Sequence, residues 1–337
     1  MVVARARVLG VSSYLPPRVR TSAEVEALVA AASPDCRVRR GIVEAISGIT
    51  QRRVIDEGVQ TSDLAAAAAR NAFAKTGFTP SDIDQLIFAS ASQDLIEPAT
   101  ANIVQEKLGT RAPVFDIKNA CNSFLNGLEM AEALVLSGSR SCVLVVSGET
   151  CSHSIAWHAA DQDEFKMNFP GFTLGDAGAA AIVVPSTDGR GIFHRSFMSL
   201  SHHWPLATFL GGGSMHPHSV EHSYIRGDGS LLRDACIREG PEILHRAMRE
   251  AGVDFDDFKR LFVHQVSLTY LRDFAEHARA PFDKIELTLP CFGNMASASL
   301  PVALAQAEER GAVGPGDKVL LVGMASGISI GVMMMEL

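Results

Sequence analysis

The chain has 337 residues, of which 47% are hydrophobic and 20% are charged, and its formal net charge at pH 7 is −8. This composition is typical of a folded protein with a large core and excludes intrinsic disorder. The negative charge, with no Lys/Arg run longer than a pair, gives no electrostatic footprint for nucleic acid or for anionic lipid, so neither is expected as a partner.

Export and membrane insertion are not expected either. The stretch 1–17 contains only a few consecutive apolar residues, too few for the core of a signal peptide. The longest apolar runs, at 143–146 and 331–335, are far shorter than the roughly 18 residues of a spanning helix. The six cysteines are scattered without a CxxC pair and are expected to be reduced. These features predict a cytoplasmic protein.

A faint internal repeat is the main clue to the architecture. Residues 77–90 align with residues 252–265 at an offset of 175, and each segment predicts a helix end, a turn and a buried strand. The repeat continues in further helix-like and strand-like segments, which are 64–76 with 241–251, 121–139 with 296–314, and 142–147 with 319–323.

Continuous Val/Ile/Leu strands that alternate with helices predict the α/β class, with sheets covered by helices on both faces. Two fused copies would pack as an α/β/α/β/α body about a pseudo-twofold axis. A Pro/Ser/Thr/Asp/Gly cluster at 185–190 is the predicted linker, which gives an N-terminal half at 1–184 and a C-terminal half at 185–337. Residues 201–230, rich in His, Gly and Ser, are predicted to be an irregular functional insertion.

Cys121 lies between a predicted strand at 114–117 and a long helix, so it occupies a strand-to-helix elbow. The N–H groups and partial positive charge of a helix N-terminus can lower a thiol pKa from about 8.5 to roughly 3.5–7.5. The alternative is a small buried hydrophobic residue. The elbow alone gives the two interpretations equal weight.

A nucleophilic thiolate for acyl transfer also needs a proton handler and oxyanion donors. His264 follows a predicted strand, and Asn294 lies in the repeat mate of the Cys121 elbow, so both should face the same cleft. The N–H groups of Cys121 and Gly327, the latter in a Gly-rich final turn, would form an oxyanion hole. The alternatives are a satisfied histidine, a simple Gly-Asn turn and a packing turn.

Together these elements resemble the thiolase-fold condensing enzymes and, among them, the ketoacyl synthase III group. The resemblance covers nearly the whole chain and rests on five motifs: Ala120-Cys121, His264-Gln265, Gly293-Asn294, Gly175–Ala179 and the final Gly-rich turn. It implies a thiolase-like five-layer fold and a Cys121/His264/Asn294 triad. It also implies an acyl-enzyme, a Claisen condensation and a homodimer, with coenzyme A thioesters as substrates and no bound cofactor.

Glu97 bears on the type of condensation. A synthase that decarboxylates a malonyl group needs no general base, whereas a plain acyl thioester must lose its α-proton to one. The residues alone favour a capping role for Glu97 at a helix that Pro98 initiates. However, Leu95–Ala101 resembles the segment of head-to-head acyl-CoA condensing enzymes of olefin biosynthesis and of related pyrone-forming ketosynthases. That resemblance implies that Glu97 reaches the partner's active site as the base.

The same resemblance bears on the thioester handle. Thr269 stands where synthases that use acyl carrier protein commonly have a basic docking residue, so coenzyme A is favoured and carrier protein, with Arg272 as a docking residue, is left open. Arg52 and Arg53 resemble the family's segment near the coenzyme nucleotide, and a solvated basic pair is the alternative. The histidines at 202–203 and 216–222 lack a complete ligand set, so no metal is expected.

Two further residues refine the prediction. Met324 and its neighbours stand where thiolases proper carry a second catalytic cysteine, which disfavours that class. Glu149, at a predicted strand end, is expected to make structural hydrogen bonds. The sequence therefore predicts a condensing acyltransferase that acts on acyl-CoA without decarboxylation. A malonyl-dependent β-ketoacyl-carrier-protein synthase III, an O- or N-acyltransferase on the same fold and a non-enzymatic scaffold remain as alternatives.

Overall fold

The structure is a computed structural model that describes residues 5–337, so residues 1–4 of the predicted N-terminal half lie outside the described residues. The strands are β1 (Ala6–Tyr14), β2 (Arg18–Thr21), β3 (Gln51–Val54), β4 (Gln85–Ala89), β5 (Val114–Ile117), β6 (Val143–Glu149), β7 (Ala177–Pro185), β8 (Gly191–Ser199), β9 (Ala207–Thr208), β10 (Arg226–Gly227), β11 (Arg260–Val263), β12 (Lys318–Ala325) and β13 (Ser329–Glu336). The helices are α1 (Ser22–Ala32), α2 (Ile42–Ser47), α3 (Thr61–Thr76), α4 (Thr100–Leu108), α5 (Ser123–Leu136), α6 (Gln162–Phe172), α7 (Gly229–Ala251), α8 (Leu268–His277), α9 (Leu289–Phe292) and α10 (Ser299–Glu309).

The two larger sheets repeat one strand arrangement. The first has the order β1-β7-β6-β4-β5, and the second has the order β8-β13-β12-β11. In both sheets the strands at one end are parallel, and the two strands at the other end are added antiparallel. Ile285 makes a single parallel bridge to Leu261 of β11, in the place that β5 holds beside β4. In the second half, a single β-bridge therefore stands in the place of a fifth strand.

Helices cover both faces of each sheet, which explains the continuous apolar strands. In β6, Val145 packs into the cluster that contains α5 and α10, whereas its neighbour Leu144 packs against α3 and α4 on the opposite face. The middle cluster also receives side chains of β12 and β13, and the far face of the second sheet packs against α7 and α8. The layers are thus α3/α4, first sheet, α5/α10, second sheet and α7/α8, which confirms the α/β/α/β/α class.

The connections agree with the repeat in most places. Residues 186–190, within the predicted linker, connect β7 to β8. The short 3-10 turns Pro80–Asp82 and Phe255–Asp257, which follow α3 and α7, keep the offset of 175. Within residues 5–337, none of the helices combines the length and apolarity needed to cross a bilayer.

One predicted boundary is wrong. The helix expected at 241–251 begins at Gly229, because the side chain of Asp228 caps it by accepting hydrogen bonds from the N–H groups of Ser230 and Leu231. The first part of this helix carries many charged residues and Pro241, which obscured its period. The predicted irregular stretch 201–230 also contains the small β9–β10 ladder.

Candidate active site

Cys121 lies in a strained turn between β5 and α5, as the sequence predicts. Ala120 has φ of 46°, in the left-handed region that non-glycine residues rarely adopt. The Ser123 hydroxyl fixes this turn, since it accepts a hydrogen bond from the Asn119 N–H at 2.8 Å and donates one to the Ala120 carbonyl at 2.7 Å. The turn presents the half-buried Cys121 to a cavity.

Asn294 lies in an equivalent turn before α10. Ala296 has φ of 45°, and the Ser299 hydroxyl accepts a hydrogen bond from the Met295 N–H at 3.1 Å. The backbone of Asn294 is held at the start of the Gly175–Ala179 motif, because its N–H donates to the Thr173 carbonyl and its carbonyl accepts from the Gly175 N–H. Its side-chain Oδ1 accepts from the Ala296 N–H at 3.0 Å. The amide Nδ2 is left for a ligand.

A single large cavity brings together Cys121, His264 and Asn294. Its volume is about 1910 Å³, and its lining is mainly apolar. His264 follows the end of β11, where its N–H donates to the Val322 carbonyl at 2.8 Å. The imidazole is 1% exposed, and neither ring nitrogen has a hydrogen-bond partner within residues 5–337. Burial lowers the pKa of His264 to about 4, so the ring is neutral at pH 7.

The final Gly-rich turn, which the sequence predicts at 323–331, is shorter in the structure. β12 extends to Ala325 and β13 begins at Ser329, which leaves a tight turn of three residues. Gly327, with φ of 127°, follows Ser326, and Ser326 lines the cavity. Gly323 is a strand residue whose missing side chain admits Asn122, since a Cβ there would lie 2.0 Å from the Asn122 Oδ1.

The surroundings of Cys121 do not favour an acidic thiol, which is one of the two interpretations that the elbow left open. Burial, and then the nearby Glu149 carboxylate, raise the pKa of Cys121 to about 12. Both effects favour the neutral thiol over the thiolate.

Glu149 makes the structural hydrogen bonds that the sequence predicts. It is fully buried at the end of β6. Its carboxylate accepts from the N–H groups of Ala91 and Ser92 and from the hydroxyls of Ser92 and Ser297, the last at 2.5 Å. It therefore ties the end of the first sheet to the Asn294 turn of the second half.

Glu97 does not cap the helix that follows it. That helix begins at Thr100 rather than at Pro98, and the Asp116 carboxylate of β5 accepts hydrogen bonds from the Thr100 and Ala101 N–H groups, both at 2.9 Å. The capping interpretation is therefore wrong. Glu97 is exposed, and the cavity is lined by its neighbours Gln93 and Ile96 but not by Glu97 itself. The residues that line the cavity of a single chain therefore include Cys121 but not Glu97.

Arg52 is not placed to bind a coenzyme, which corrects the sequence prediction. Its side chain is 1% exposed, donates to the Phe172 carbonyl at 2.8 Å and donates to the Ser22 hydroxyl at 3.1 Å. Burial lowers its pKa to about 10. Arg53 donates to the Pro17 carbonyl at 2.9 Å, and neither arginine lines the cavity. The alternative of a solvated pair is also wrong for Arg52.

Other basic groups lie near the cavity mouth. Arg37, Arg39 and Arg40 are exposed on the loop before α2, and α2 itself contributes to the lining. Gln162, which lines the cavity, donates from its Nε2 to the Arg37 carbonyl at 3.1 Å. Their sequence signal was a run of three arginines within four residues. It was missed because no motif accompanied it.

The stretch 201–230, predicted to be a functional insertion, lines much of the cavity. Trp204 and Met215 are 48% and 68% exposed, and both line the cavity. In the same stretch the rings of His216 and His222 stack with their centroids 3.7 Å apart. Within residues 5–337, no group of three or more His, Cys, Asp or Glu side chains could hold a metal ion.

The sequence analysis missed a polar cluster beside Cys121. The side chains of Asn119 and Asn122 both donate hydrogen bonds to Ser329, which lies just after the Gly327 turn. Two asparagines flanking the cysteine were the available signal. Thr269, the residue at the expected docking position, lines the cavity, whereas Arg272 is exposed and stacks over the Phe282 ring.

Comparison with protein families gives two matches. Residues 115–200 match the family described as 3-Oxoacyl-[acyl-carrier-protein (ACP)] synthase III, and residues 248–337 match the C-terminal part of that family. Among curated proteins, the β-ketoacyl-[acyl-carrier-protein] synthase III of Cereibacter sphaeroides is 34% identical over 334 residues, which covers 97% of each chain. The enzyme of the same name from Syntrophomonas wolfei is 30% identical and covers 97% of this chain and 96% of its own.

Solved structures agree with these matches. The OleA protein of Xanthomonas campestris, in a structure with bound lauric acid and lauroyl-CoA, has a TM-score of 0.90 at 25% identity and covers 99% of each chain. The 3-oxoacyl-[acyl-carrier-protein] synthase III of Aquifex aeolicus has a TM-score of 0.86 at 25% identity and covers 98% of this chain and 100% of its own. The thiolase-like, synthase III-like fold is therefore confirmed.

Proposed function

The chain belongs to the 3-oxoacyl-[acyl-carrier-protein] synthase III family of condensing acyltransferases, and from this premise we propose that it joins two acyl groups without decarboxylation. The first substrate is an acyl-CoA that acylates Cys121, and the second is an acyl or β-ketoacyl thioester. The observation that carries the proposal is the cavity of about 1910 Å³ around Cys121, His264 and Asn294, with the exposed Glu97 segment at its edge.

The size of the cavity supports two acyl groups at once. Small-molecule sites usually measure about 300–1,000 Å³. The cavity here is about 1910 Å³, is mainly apolar and continues under the stretch 201–230. An initiating condensation of a short acyl group with a malonyl unit needs less apolar volume. The cavity therefore favours long acyl chains for both substrates.

In the acylation step, the sulfur of Cys121 attacks the thioester carbonyl of the first acyl-CoA. A carbon–sulfur bond to Cys121 forms, and the bond to the coenzyme sulfur breaks. The thiol proton passes to the leaving coenzyme thiolate, with His264 as the neutral base within the cavity. The N–H groups of Cys121 and Gly327 stabilise the oxyanion, and each such donor is worth roughly 10²–10³ in rate.

In the condensation step, His264 and the Asn294 Nδ2 hold the thioester oxygen of the second substrate. Glu97 of the partner subunit removes the α-proton, and the resulting carbanion attacks the acyl group on Cys121. A carbon–carbon bond forms and the bond to the Cys121 sulfur breaks. The proton on Glu97 returns to the released thiolate, so the β-keto thioester is formed without loss of carbon dioxide.

Coenzyme A is the proposed thioester handle, and it acts as a substrate rather than as a bound cofactor. We assign its phosphates to Arg37, Arg39 and Arg40 in place of Arg52 and Arg53, because these three side chains are exposed beside the cavity mouth. Guanidinium groups suit phosphate oxygens in charge and geometry. The neutral Thr269 in α8 gives no such support to carrier-protein docking.

The similar structures also support this proposal. The OleA structures include one with bound lauric acid and lauroyl-CoA in a variant that replaces a cysteine, and another in a variant that replaces a glutamate. These residue types match the roles proposed here for Cys121 and Glu97. The homodimer, implied by the family resemblance, is part of the proposal because Glu97 needs a partner subunit.

The need for malonate tests the proposal. Purified protein is incubated with lauroyl-CoA alone, and separately with lauroyl-CoA and malonyl-CoA, while free coenzyme A and product mass are measured. We expect a β-keto product that contains two lauroyl groups from lauroyl-CoA alone. Product that forms only with malonyl-CoA, together with release of carbon dioxide, would contradict the proposal.

That second outcome would identify a malonyl-dependent β-ketoacyl-[acyl-carrier-protein] synthase III. The observation that favours this alternative is the name of the curated relatives, at 34% and 30% identity over nearly the whole chain. Malonyl-carrier protein is included as a further arm, because carrier protein remains the alternative partner.

The origin of the base is tested by mixing two inactive variants. Cys121→Ala lacks the nucleophile, and Glu97→Gln lacks the base. If Glu97 acts in the partner's site, a mixed dimer has one site with both groups intact, so we expect activity to return after the two proteins are mixed and allowed to exchange subunits. Continued inactivity of a mixture shown to contain mixed dimers would contradict action across the dimer and place Glu97 in the site of its own chain.

A further inference from the structure

Three buried or half-buried polar side chains beside Cys121 have no part in the proposed steps. They are Asn119, Asn122 and Ser329, here called the elbow clasp. The Asn122 Nδ2 donates to the Ser329 carbonyl at 2.9 Å and to its hydroxyl at 3.1 Å. The Asn119 Nδ2 donates to the same hydroxyl at 3.0 Å and to the Asn126 Oδ1 at 2.8 Å. The Ser329 hydroxyl therefore accepts hydrogen bonds from both asparagines.

The orientation of Asn122 is fixed by chemistry. A backbone carbonyl only accepts hydrogen bonds, so the amide nitrogen rather than the oxygen must face Ser329. The Asn122 Oδ1 has no partner within residues 5–337 and lies against Gly323, although the residue is fully buried. An unpaired buried oxygen is unfavourable, and a hydrophobic side chain would avoid this cost. The arrangement therefore points to a role other than packing.

The elbow clasp joins the two backbone segments that carry the proposed oxyanion donors. Asn119 and Asn122 flank Cys121 in the first half, and Ser329 follows Gly327 in the second half. The opposite side of the Gly327 turn is held by Leu200, whose N–H donates to the Ile328 carbonyl at 2.8 Å. The turn is thus held on both sides, and within residues 5–337 its side-chain hydrogen bonds to the Cys121 elbow are those of the elbow clasp.

We propose that Asn122 and Ser329 are positioning residues that set the distance between the Cys121 and Gly327 N–H groups. Oxyanion donors act only when both lie about 2.7–3.1 Å from the developing charge, so a small shift of the turn weakens both contacts. This inference rests on the proposed acylation of Cys121. It is independent of whether the later condensation uses Glu97 or malonate.

The test separates the reactivity of the thiol from the stabilisation of the oxyanion. Ser329→Ala removes the hydroxyl that both asparagines use, and Ser329→Thr keeps it. Acylation of Cys121 by lauroyl-CoA is followed by the mass of the acyl-enzyme, and alkylation by iodoacetamide, which forms no oxyanion, is followed in parallel. Ser12→Ala is the matched control, because this buried hydroxyl donates to the Gly10 carbonyl at 2.9 Å in β1, away from the cavity.

We expect Ser329→Ala to slow acylation by roughly 10–100-fold, with alkylation within about twofold of wild type and most of the rate restored in Ser329→Thr. Asn122→Ala should behave like Ser329→Ala. Unchanged acylation in Ser329→Ala would overturn the inference, as would an equal loss of alkylation, which would mean a displaced thiol. Wild-type protein that lauroyl-CoA does not acylate would instead contradict the proposed function, and with it the premise of the inference.

Discussion

The two elbows of the molecule have the same backbone and different chemistry. Ala120 and Ala296 share a left-handed conformation, and each elbow is fixed by a serine hydroxyl at the start of the following helix. With these residues superposed, the offset is 176, so Cys121 is equivalent to Ser297. The Ser297 hydroxyl is buried in hydrogen bonds with Glu149 and Ser147, whereas the Cys121 sulfur faces the cavity.

The duplicated fold therefore contains two equivalent elbows, and the first of them holds the proposed nucleophile. The fold supplies two equivalent places for a reactive group, and the surroundings determine which place is reactive. In the second half, the proposed catalytic groups lie three residues upstream of Ser297, at Asn294, and directly after β11, at His264. In the first half, the positions that flank Cys121 hold Asn119 and Asn122 of the elbow clasp instead.

Removal of the nucleophile gives the largest expected effect. Cys121→Ala should lower acyl-enzyme formation from lauroyl-CoA by about 10⁴-fold or more, because it removes the nucleophile that the proposed acylation uses. Adding Ser297→Cys to this variant should restore nothing, since position 297 faces Glu149 rather than the cavity. Acyl-enzyme mass measures both, and acylation at position 297 of the double variant would show that the elbows are interchangeable.

A substitution in the second elbow, at Asn294, should affect the condensation step and leave the acylation step nearly unchanged. Asn294→Ala removes the amide that holds the enolate oxygen, so we expect condensation to slow by roughly 10²–10³-fold and acylation by less than about threefold. Asn102→Ala, which loses an exposed amide on α4 that donates to the Ala99 carbonyl, is the matched control. Rapid-quench measurement separates the steps. Equal losses in the rates of acylation and condensation would contradict the proposal that the two elbows act in different steps.

The buried His264 should make the free energy of unfolding depend on pH, and the variant His264→Asn should lack this dependence. Burial lowers its pKa from 6.5 to about 4, so between these values the unfolded chain binds a proton that the folded protein does not. Stability is then fully present above pH 6.5 and falls as the pH drops towards 4, by on the order of 3 kcal/mol. Urea unfolding of wild type, His264→Asn and the exposed control His277→Asn should show the reduced dependence only in His264→Asn.

Substitutions of the neighbouring Arg52 and Arg53 should differ in their effect on the stability of the protein, and neither should change coenzyme binding. Arg52→Met leaves the Phe172 carbonyl and the Ser22 hydroxyl without their donor, so the free energy of unfolding should fall by about 1–3 kcal/mol. Arg53→Met should change it little. The KM for lauroyl-CoA should stay within about twofold in both variants. A large rise in KM for either one would restore the coenzyme role that the sequence suggested.

Much of the fold was predictable because both sheets bury two faces. That burial produces continuous apolar strands, and the duplication repeats them at a constant offset, so the layers and the elbows of Cys121 and Asn294 could be located from the sequence. The start of α7 was missed because charged residues between 233 and 239 interrupt its apolar pattern and Pro241 stands in the middle of the helix. The elbow clasp was missed because its hydrogen bonds join residues about 200 positions apart.

Electrostatics were the least predictable part of the site. The sequence places Cys121 at a helix N-terminus, but the raised pKa of its thiol depends on burial and on Glu149, which arrives from another strand. Arg52 and Arg53 are adjacent in sequence but lie on opposite sides of the short strand β3, so the first is buried and the second is partly exposed. Such effects follow from packing, which no local pattern records.

The central claim is that a non-decarboxylating condensation follows acylation of Cys121 and depends on Glu97. A single-turnover reaction of Glu97→Gln with lauroyl-CoA tests it most directly, with Glu106→Gln, an exposed carboxylate on α4, as the matched control. We expect Glu97→Gln to accumulate the lauroyl-enzyme at the wild-type rate and to form no β-keto product, while the control turns over normally. Condensation by Glu97→Gln at the wild-type rate would contradict the claim.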